Sequence, residues 1–306
     1  MLDDLSTGHR WAVKFGPFYE GDIADGELVQ RIIRQHGITD VIDFAAKAEV
    51  GESYRNPGKY FRENVGKTVH FLDALIAGGV KNIVFSSTCA VYGNPETIPI
   101  TEAESKKPVN PYGETKLFVE RMLHWYGIAH GLKWVAPRYF NAAGADPEGE
   151  IGELHQPESH LIPAAIEAVL DKRPQLEVYG TDYPTPDGTA IRDYIHVFDL
   201  GRAHILALDY LREGGESTSI NLGTGVGQSV MDVIRAVGAA AGREVPHVLR
   251  PRRAGDPPQL VADASLAQRV LGWAAEYRDI RPIVETAWRW HQKQTTEPAT
   301  ALPFRP

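Results

Sequence analysis

The chain has 306 residues, 43% hydrophobic and 24% charged, enough for one large or two moderate globular domains whose core needs no staples. A formal net charge of -8 repels phosphate backbones and argues against nucleic acid as a partner. A single cysteine, Cys89, leaves no intrachain disulfide and fits a reducing compartment. No basic leader with an apolar stretch opens the chain, and nowhere do about 18 apolar residues run together, so a soluble cytoplasmic protein without membrane spans is expected.

In chain order, the opening MLDDLSTGHR places Asp3 and Asp4 before Ser6, Thr7 and Gly8, the pattern of a strand end breaking into a loop. Apolar runs and helical patterns then alternate: TDVIDFAA (39–46), a helix from about Pro57, NIVFSS (82–87), a helix from about Pro111, and LKWVAPRYF (132–140). That rhythm predicts an α/β fold, a doubly wound parallel sheet with helices on its faces. In the first of these helices Phe61, Val65, Val69, Leu72 and Ile76 recur every three or four residues as a core-facing stripe. Pro57 suits its start and Gly78-Gly79 its end. After Asn141 a loop rich in glycine, proline and acid, NAAGADPEGEIGELHQPESH, marks a domain transition near residue 150. The division is thus 1–150 and a smaller α/β domain 151–306, whose tail TTEPATALPFRP (295–306) is expected to be an extended surface segment.

PYGETK (111–116) sets Tyr112 and Lys116 four apart, on one face of a helix. An ammonium near a phenol favours the phenolate and would draw the tyrosine pKa down from about 10 towards the range of a general base. With 12 tyrosines in the chain, the spacing alone is weak, and its surroundings carry the argument. Upstream, FSSTCAVYG (85–93) ends a strand with Ser86, Ser87 and Thr88, and ligands of open parallel sheets bind beyond such strand ends. The blander use of these hydroxyls is turn-making. GTGVGQS (223–229) lacks the third glycine of a phosphate loop, having Gln228 there, and is expected to be a plain turn. Arg250, Arg252 and Arg253 beside Gly255 and Asp256 suit nucleotide binding, whereas His155, His160, His124 and His130 lack metal-ligand spacing.

A strand-end hydroxyl followed by Tyr-x-x-x-Lys resembles the extended short-chain dehydrogenase/reductase family. Within it, LDDLSTGH, EGDI, FAAKAEVGES, RYFNAAGADP, GTDYPTPDGTAIRDYIHV, INLGTG and RRAGDPP resemble the UDP-glucose 4-epimerases from Asp3 to about His291. The resemblance implies a Rossmann-like first domain holding NAD, a second domain holding a UDP-sugar, a homodimer, and interconversion of UDP-glucose and UDP-galactose by transient oxidation at C4. It further implies Tyr112 as base, Lys116 as its electrostatic partner and Thr88 as the bridging hydroxyl. Asp3, Asp22, Ile23, Ala45, Ala46, Asn64, Ser86, Tyr112, Lys116 and Phe140 would contact NAD. Thr88, Asn141, Leu161, Arg192, Arg253 and Asp256 would contact the substrate. No metal is implied.

Several departures bear on the expectation. Lys47 and Ala48 are placed so that the family's cofactor lysine in this loop has no clear match. Cys89 and Ala90 stand where related dehydratases carry acids, which favours epimerisation over elimination. Leu260, smaller than tyrosine, leaves room at the sugar C2, so another UDP-sugar such as UDP-N-acetylglucosamine, or a UDP-pentose, is an alternative. Family members also carry a G-x-x-G-x-x-G turn between a first strand and first helix, and this sequence contains none. On that ground Asp3 is expected to close the second strand, the sheet to be incomplete at its N-terminus, and the chain as written to hold NAD poorly or to be a non-catalytic binding remnant.

Overall fold

The apolar runs form strands wherever their branched residues can be covered on both faces. A computed structural model describes residues 1–253 and 256–296. Ala254, Gly255 and all of the tail beyond Thr296 lie outside the described residues, so the extended-tail expectation applies only to Thr295 and Thr296, which instead end a helix. Strands β1 (Leu2–Asp3) and β2 (Tyr19–Glu20) pair in parallel as a two-stranded sheet of their own. Helix α1 (Gly26–His36) follows, its first turn capped by the Asp25 carboxylate on the Leu28 amide and its last closed by Gly37 in the left-handed region. It leads to β3 (Asp40–Asp43).

Helices α2 (Val50–Arg55) and α3 (Pro57–Tyr60) precede a π-helical turn over Phe61–Gly66 that runs directly into α4 (Lys67–Gly78). Pro57 stands in the first turn and Gly79 ends the run with φ 80°. The expected stripe is only partly right: Leu72 is buried, but Phe61 and Val69 face outward, and the inward positions are Asn64, Thr68, Phe71, Leu72 and Leu75. Wider i→i+5 winding at the π turn changes the phase of the face, and Asn64 turns inward because a loop needs its amide, as shown below.

Next come β4 (Asn82–Phe85), β5 (Ser87–Thr88), the long α5 (Pro111–His130) and β6 (Lys133–Tyr139). Beyond them lie β7 (Asn141–Ala143), α6 (Leu161–Val169), β8 (Leu176–Tyr179), β9 (Ile191–His196), α7 (Val197–Arg212) and β10 (Thr218–Leu222). The central sheet is all parallel in the order β10-β6-β4-β3, with β5 also on β6. Among the described residues, no ladder joins β1 to β3. The remaining elements are β11 (Gly227–Ser229), α8 (Val230–Ala241), β12 (His247–Arg250), β13 (Gln259–Leu260), α9 (Ser265–Leu271) and α10 (Ile280–Thr296). A second sheet orders β11-β9-β13 with β7 on β9, and β12 pairs β8.

The division near residue 150 is not clean in space. β10 completes the central sheet, and α7 and α9 bring Leu200, Ala203, Leu271 and the segment's Trp273 into one core with Val84 and Val135. The apolar TSINL strand finds its partner only on β6, so the chain returns across the boundary. No helix among the described residues is long and apolar enough to cross a membrane.

Leu123 of α5, fully buried among Leu72, Ile83 and Leu132, reports on this packing. Leu123→Ala should lower unfolding stability by about 2–5 kcal/mol, read as a shifted urea midpoint with little change in slope.

Candidate active site

Helix α5 begins where Asn110 accepts the Gly113 amide at 2.8 Å and Pro111 takes the first helical position. Gly113 lets this end come very close to the turn after β5: a Cβ there would lie 2.6 Å from the Ala90 carbonyl oxygen. That approach sets half-buried Tyr112 beside Thr88. Thr88 pairs with Tyr139 across the ladder to β6 and is itself buried.

One turn on, Lys116 is buried, and its ammonium donates to the Ser86 carbonyl at 2.7 Å. Its Nζ lies 4.7 Å from the Phe85 ring centre and 6.0 Å from that of Tyr112. Burial pulls the ammonium pKa down to about 8, against the opposing charges of Asp43 and Glu120. The spacing argument expects the phenol to be shifted downward as well, and this direction is corrected. Burial raises the Tyr112 pKa, the neighbouring Tyr139 adds to the rise, and hydrogen bonding with Thr88 opposes it. Desolvation sets the direction, while the Lys116 ammonium directs its proton at a carbonyl. Cys89 is no acid-base candidate: burial pushes its thiol up to about 12.

Beside Lys116 lies Asp43, an acid at the end of β3 that the sequence analysis passed over. Its Oδ1 accepts the Ala45 amide at 2.9 Å, while the buried Oδ2 has no partner. Burial raises its pKa and Lys116 opposes the rise. The signal was an acid closing an apolar strand beside the Ala45-Ala46 loop. Ser86 is buried with its hydroxyl on the Tyr139 phenol.

Asn64 acts through the loop. Its Oδ1 accepts the Lys47 amide at 2.7 Å, and its Nδ2 donates to the Lys47 carbonyl at 2.9 Å and to Thr115 Oγ1 at 3.0 Å. Both of its donors are therefore committed to protein, and Asn64 ties the loop after β3 to α5. Lys47 itself reaches Ser6 at 2.7 Å, joining that loop to the one after β1. Asp3 accepts the Leu5 amide at 2.7 Å beneath Gly8, where a Cβ would come within 2.8 Å of its Oδ1. Asp22 is paired with Lys67 at 2.6 Å and accepts the Ala24 amide, and Ile23 packs against the first core.

On the far side, Asn141 and Leu161 line one cavity together with Glu153, His160, Tyr194 and His291. Phe140 is buried in a cluster with Cys89, Tyr92 and Leu117, against which Leu260 packs. Arg192 is ion-paired with Asp256 and also donates to the Ile191 carbonyl at 2.8 Å. Exposed Arg253 stacks on Tyr179 at 4.0 Å. The GTGVGQS segment is a turn only in its first part, where buried Asp193 accepts the Thr224 and Gly225 amides at 2.9 and 3.0 Å and Gly225 has φ 71°; its last three residues form β11 against β9.

Residues 1–223 match the NAD dependent epimerase/dehydratase family. The chain is 47% identical over 293 residues to the UDP-glucose 4-epimerase of Lacticaseibacillus casei, covering 95% of this chain and 88% of that protein. It is 49% identical to the one from Halalkalibacterium halodurans, over 96% of this chain and 88% of that one. Among solved structures, UDP-glucose 4-epimerase from Brucella ovis in complex with NAD superposes with a TM-score of 0.92 at 52% identity, covering 94% of this chain and 88% of that chain. The Bifidobacterium longum enzyme with NAD+ and UDP gives 0.90 at 37% identity, over 97% and 91%.

The depressed Lys116 pKa has a testable sign. Between about pH 8 and 10.4 the unfolded chain carries a proton on this lysine that the folded chain has lost, so folding stability rises with pH across that window. In urea titrations at fixed salt the rise should reach up to about 3 kcal/mol, and Lys116→Met should abolish it. Equal slopes in both proteins would place the lysine in ordinary solvent.

Proposed function

The chain belongs to the NAD dependent epimerase/dehydratase family, and from that premise we propose that it interconverts UDP-glucose and UDP-galactose by inverting C4 of the sugar. It is an enzyme of the isomerase class with NAD as cofactor. The observation that carries the reading is the meeting of Thr88, Tyr112 and Lys116 at the carboxyl ends of the central strands.

The residues fit the cofactor at two places. Lys116 has three protons and directs one to Ser86, and the orphaned Oδ2 of Asp43 lies buried beside it. A donor and an acceptor of this kind are what ribose hydroxyls satisfy. Asp3, under its glycine turn, is the carboxylate for the other ribose, with Asp22, Ile23, Ala45, Ala46, Ser86 and Phe140 around the rest, and Asn64 supporting through the loop. When bound, NAD supplies the reversible oxidation at C4.

In its phenolate form Tyr112 takes the proton of the 4-hydroxyl as C4 is oxidised, becoming the phenol, and returns it as C4 is reduced. Thr88 shares a hydrogen bond with the phenol and aligns the sugar hydroxyl on it. Lys116, still protonated over most of the neutral range, favours that phenolate against the burial that favours the phenol. On the substrate side Arg192 and Arg253 suit the diphosphate and Asp256 a ribose, with Asn141 and Leu161 at the sugar end. The two-domain division, 1–150 for NAD and 151–306 for the UDP-sugar, is kept with Thr88 and Asn141 of the first segment reaching the sugar.

The assembly is a homodimer. α5 turns Phe118, 43% exposed, and Trp125, 65% exposed, to the outside beside Phe61 and Val69. Phe61 and Phe118 pair edge-to-face at 6.2 Å. Exposed apolar side chains of this kind on neighbouring helices are what a second copy covers.

Tyr112→Phe should lower kcat for UDP-galactose by about 10² to 10⁴ while leaving folding intact; turnover at the parent rate would remove Tyr112 from the proton path. Leu260, packed against Cys89 and Phe140, leaves room beside the sugar C2, so UDP-N-acetylglucosamine should also turn over. Comparing kcat/KM for the two sugars tests this, and undetectable turnover of the second would rule the room out.

A further inference from the structure

The loop before α6 brings together four side chains that the sequence separates by twos and threes. The His155 and His160 Nδ1 atoms lie 2.9 and 2.5 Å from the same Glu153 Oε1. Glu158 Oε1 is 3.2 Å from His160 Nδ1, and its Oε2 faces His155 Nδ1 across 3.9 Å, a gap too long for a hydrogen bond. One ligand atom from each residue lies within 4.8 Å of the others. We propose that Glu153, His155, Glu158 and His160 form a site for a Zn2+ ion that fastens this loop between the two lobes.

Four arguments support it. A tetrahedral ion with Zn–N and Zn–O bonds of about 2.0–2.2 Å needs ligand atoms about 3.3–3.5 Å apart, and the four separations bracket that edge. Two imidazoles with two carboxylates form a borderline donor set that suits zinc better than calcium or magnesium, which prefer all-oxygen shells. A divalent ion would displace the protons that both imidazoles now direct at Glu153 and cancel the two carboxylate charges that remain. Finally, the Glu158 side chain is only 2% exposed. Its Oε1 is held by the Ser159 and His160 amides at 2.7 Å each, which fixes Oε2 in its aim at the cluster. The Glu158 carboxylate thus presents Oε2 to His155 and Oε1 to His160.

The loop is a place where a fastener has leverage. Ser159 donates to Glu49 of the first lobe at 2.7 Å, and His9 meets the Leu154 carbonyl at 3.2 Å. From the second lobe Trp290 donates to the Glu153 carbonyl at 2.9 Å and Arg173 to the Glu158 carbonyl at 2.7 Å. Glu153 and His160 also line the cavity that holds Asn141 and Leu161. An ion here would hold the wall of that cavity without touching the Tyr112 end.

The test uses the full chain without a histidine tag, stripped with a chelator and titrated with Co2+ and then Zn2+. One equivalent of Co2+ should give the intense visible absorption of a tetrahedral ion, be displaced by one equivalent of Zn2+, and raise Tm. His155→Asn with His160→Asn should lose the absorption and the Tm rise. Glu153→Gln, which keeps the fold's neutral hydrogen bonds, should weaken binding by at least about tenfold and serves if the double variant does not fold. No tetrahedral absorption from the parent chain, or the same absorption and Tm rise in parent and variants, would overturn the site.

Discussion

Everything at the strand ends depends on how α5 is locked to the sheet. Tyr112, Lys116 and Glu120 share one face at intervals of four, and the last of them is buried against Arg138 of β6. The two are bidentate, Nη2 to Oε2 at 2.5 Å and Nε to Oε1 at 2.9 Å. The same Glu120 Oε1 accepts the Ser87 hydroxyl at 2.5 Å, and Arg138 donates to Tyr92 at 3.0 Å, which donates to Asn221 at 2.6 Å. Replacing such a pair by apolar residues need cost little, but removing one partner strands a buried charge at about 3–5 kcal/mol. Its use is geometric. Ser87 pairs with Arg138 and Thr88 with Tyr139 in the ladder, so the network fixes Thr88 from behind while Glu120 fixes the helix that carries Tyr112.

In front of that network lies the crevice, whose charges make sense only together. Burial would neutralise Lys116 and protonate Asp43, and each is held toward its charged form by the other. The lysine therefore keeps its proton up to about pH 8, while the phenol, with no carboxylate or imidazole beside it, stays neutral. That phenol must give up its proton before it can take one from a hydroxyl, and the charged Lys116 one turn away is the group that favours the phenolate.

The sequence made the fold legible because each element carries its own punctuation: Asp25 and Gly37 bound α1, and Asn110-Pro111 and Gly131 bound α5. β10 was harder, since TSINL is short and far along the chain, and only its partner on β6 shows where it belongs. The stripe on α4 misled because a π turn has no clear mark in the sequence and Asn64 faces inward for hydrogen bonding. At the site, residues in short motifs could be placed, but pKa directions could not, since burial set them. Glu153, His155, Glu158 and His160 were invisible as a group because a loop, not a helix period, brings them together.

The side proposed to hold the substrate is organised by alternation along β9. Asp193 points into the protein, where its carboxylate accepts from Thr224, Gly225 and Ala262 and so holds the turn that leads into β11 and the segment that follows β13. Its neighbour Arg192 points the other way, as successive residues of a strand must, and meets Asp256. The guanidinium is therefore already positioned and partly neutralised before any diphosphate arrives. A phosphate must then share the fork with, or displace, a carboxylate, which weakens raw affinity but favours a ligand that also offers a hydroxyl for Asp256 to accept. Selection of a nucleotide with both groups, over a bare diphosphate, follows from that pairing.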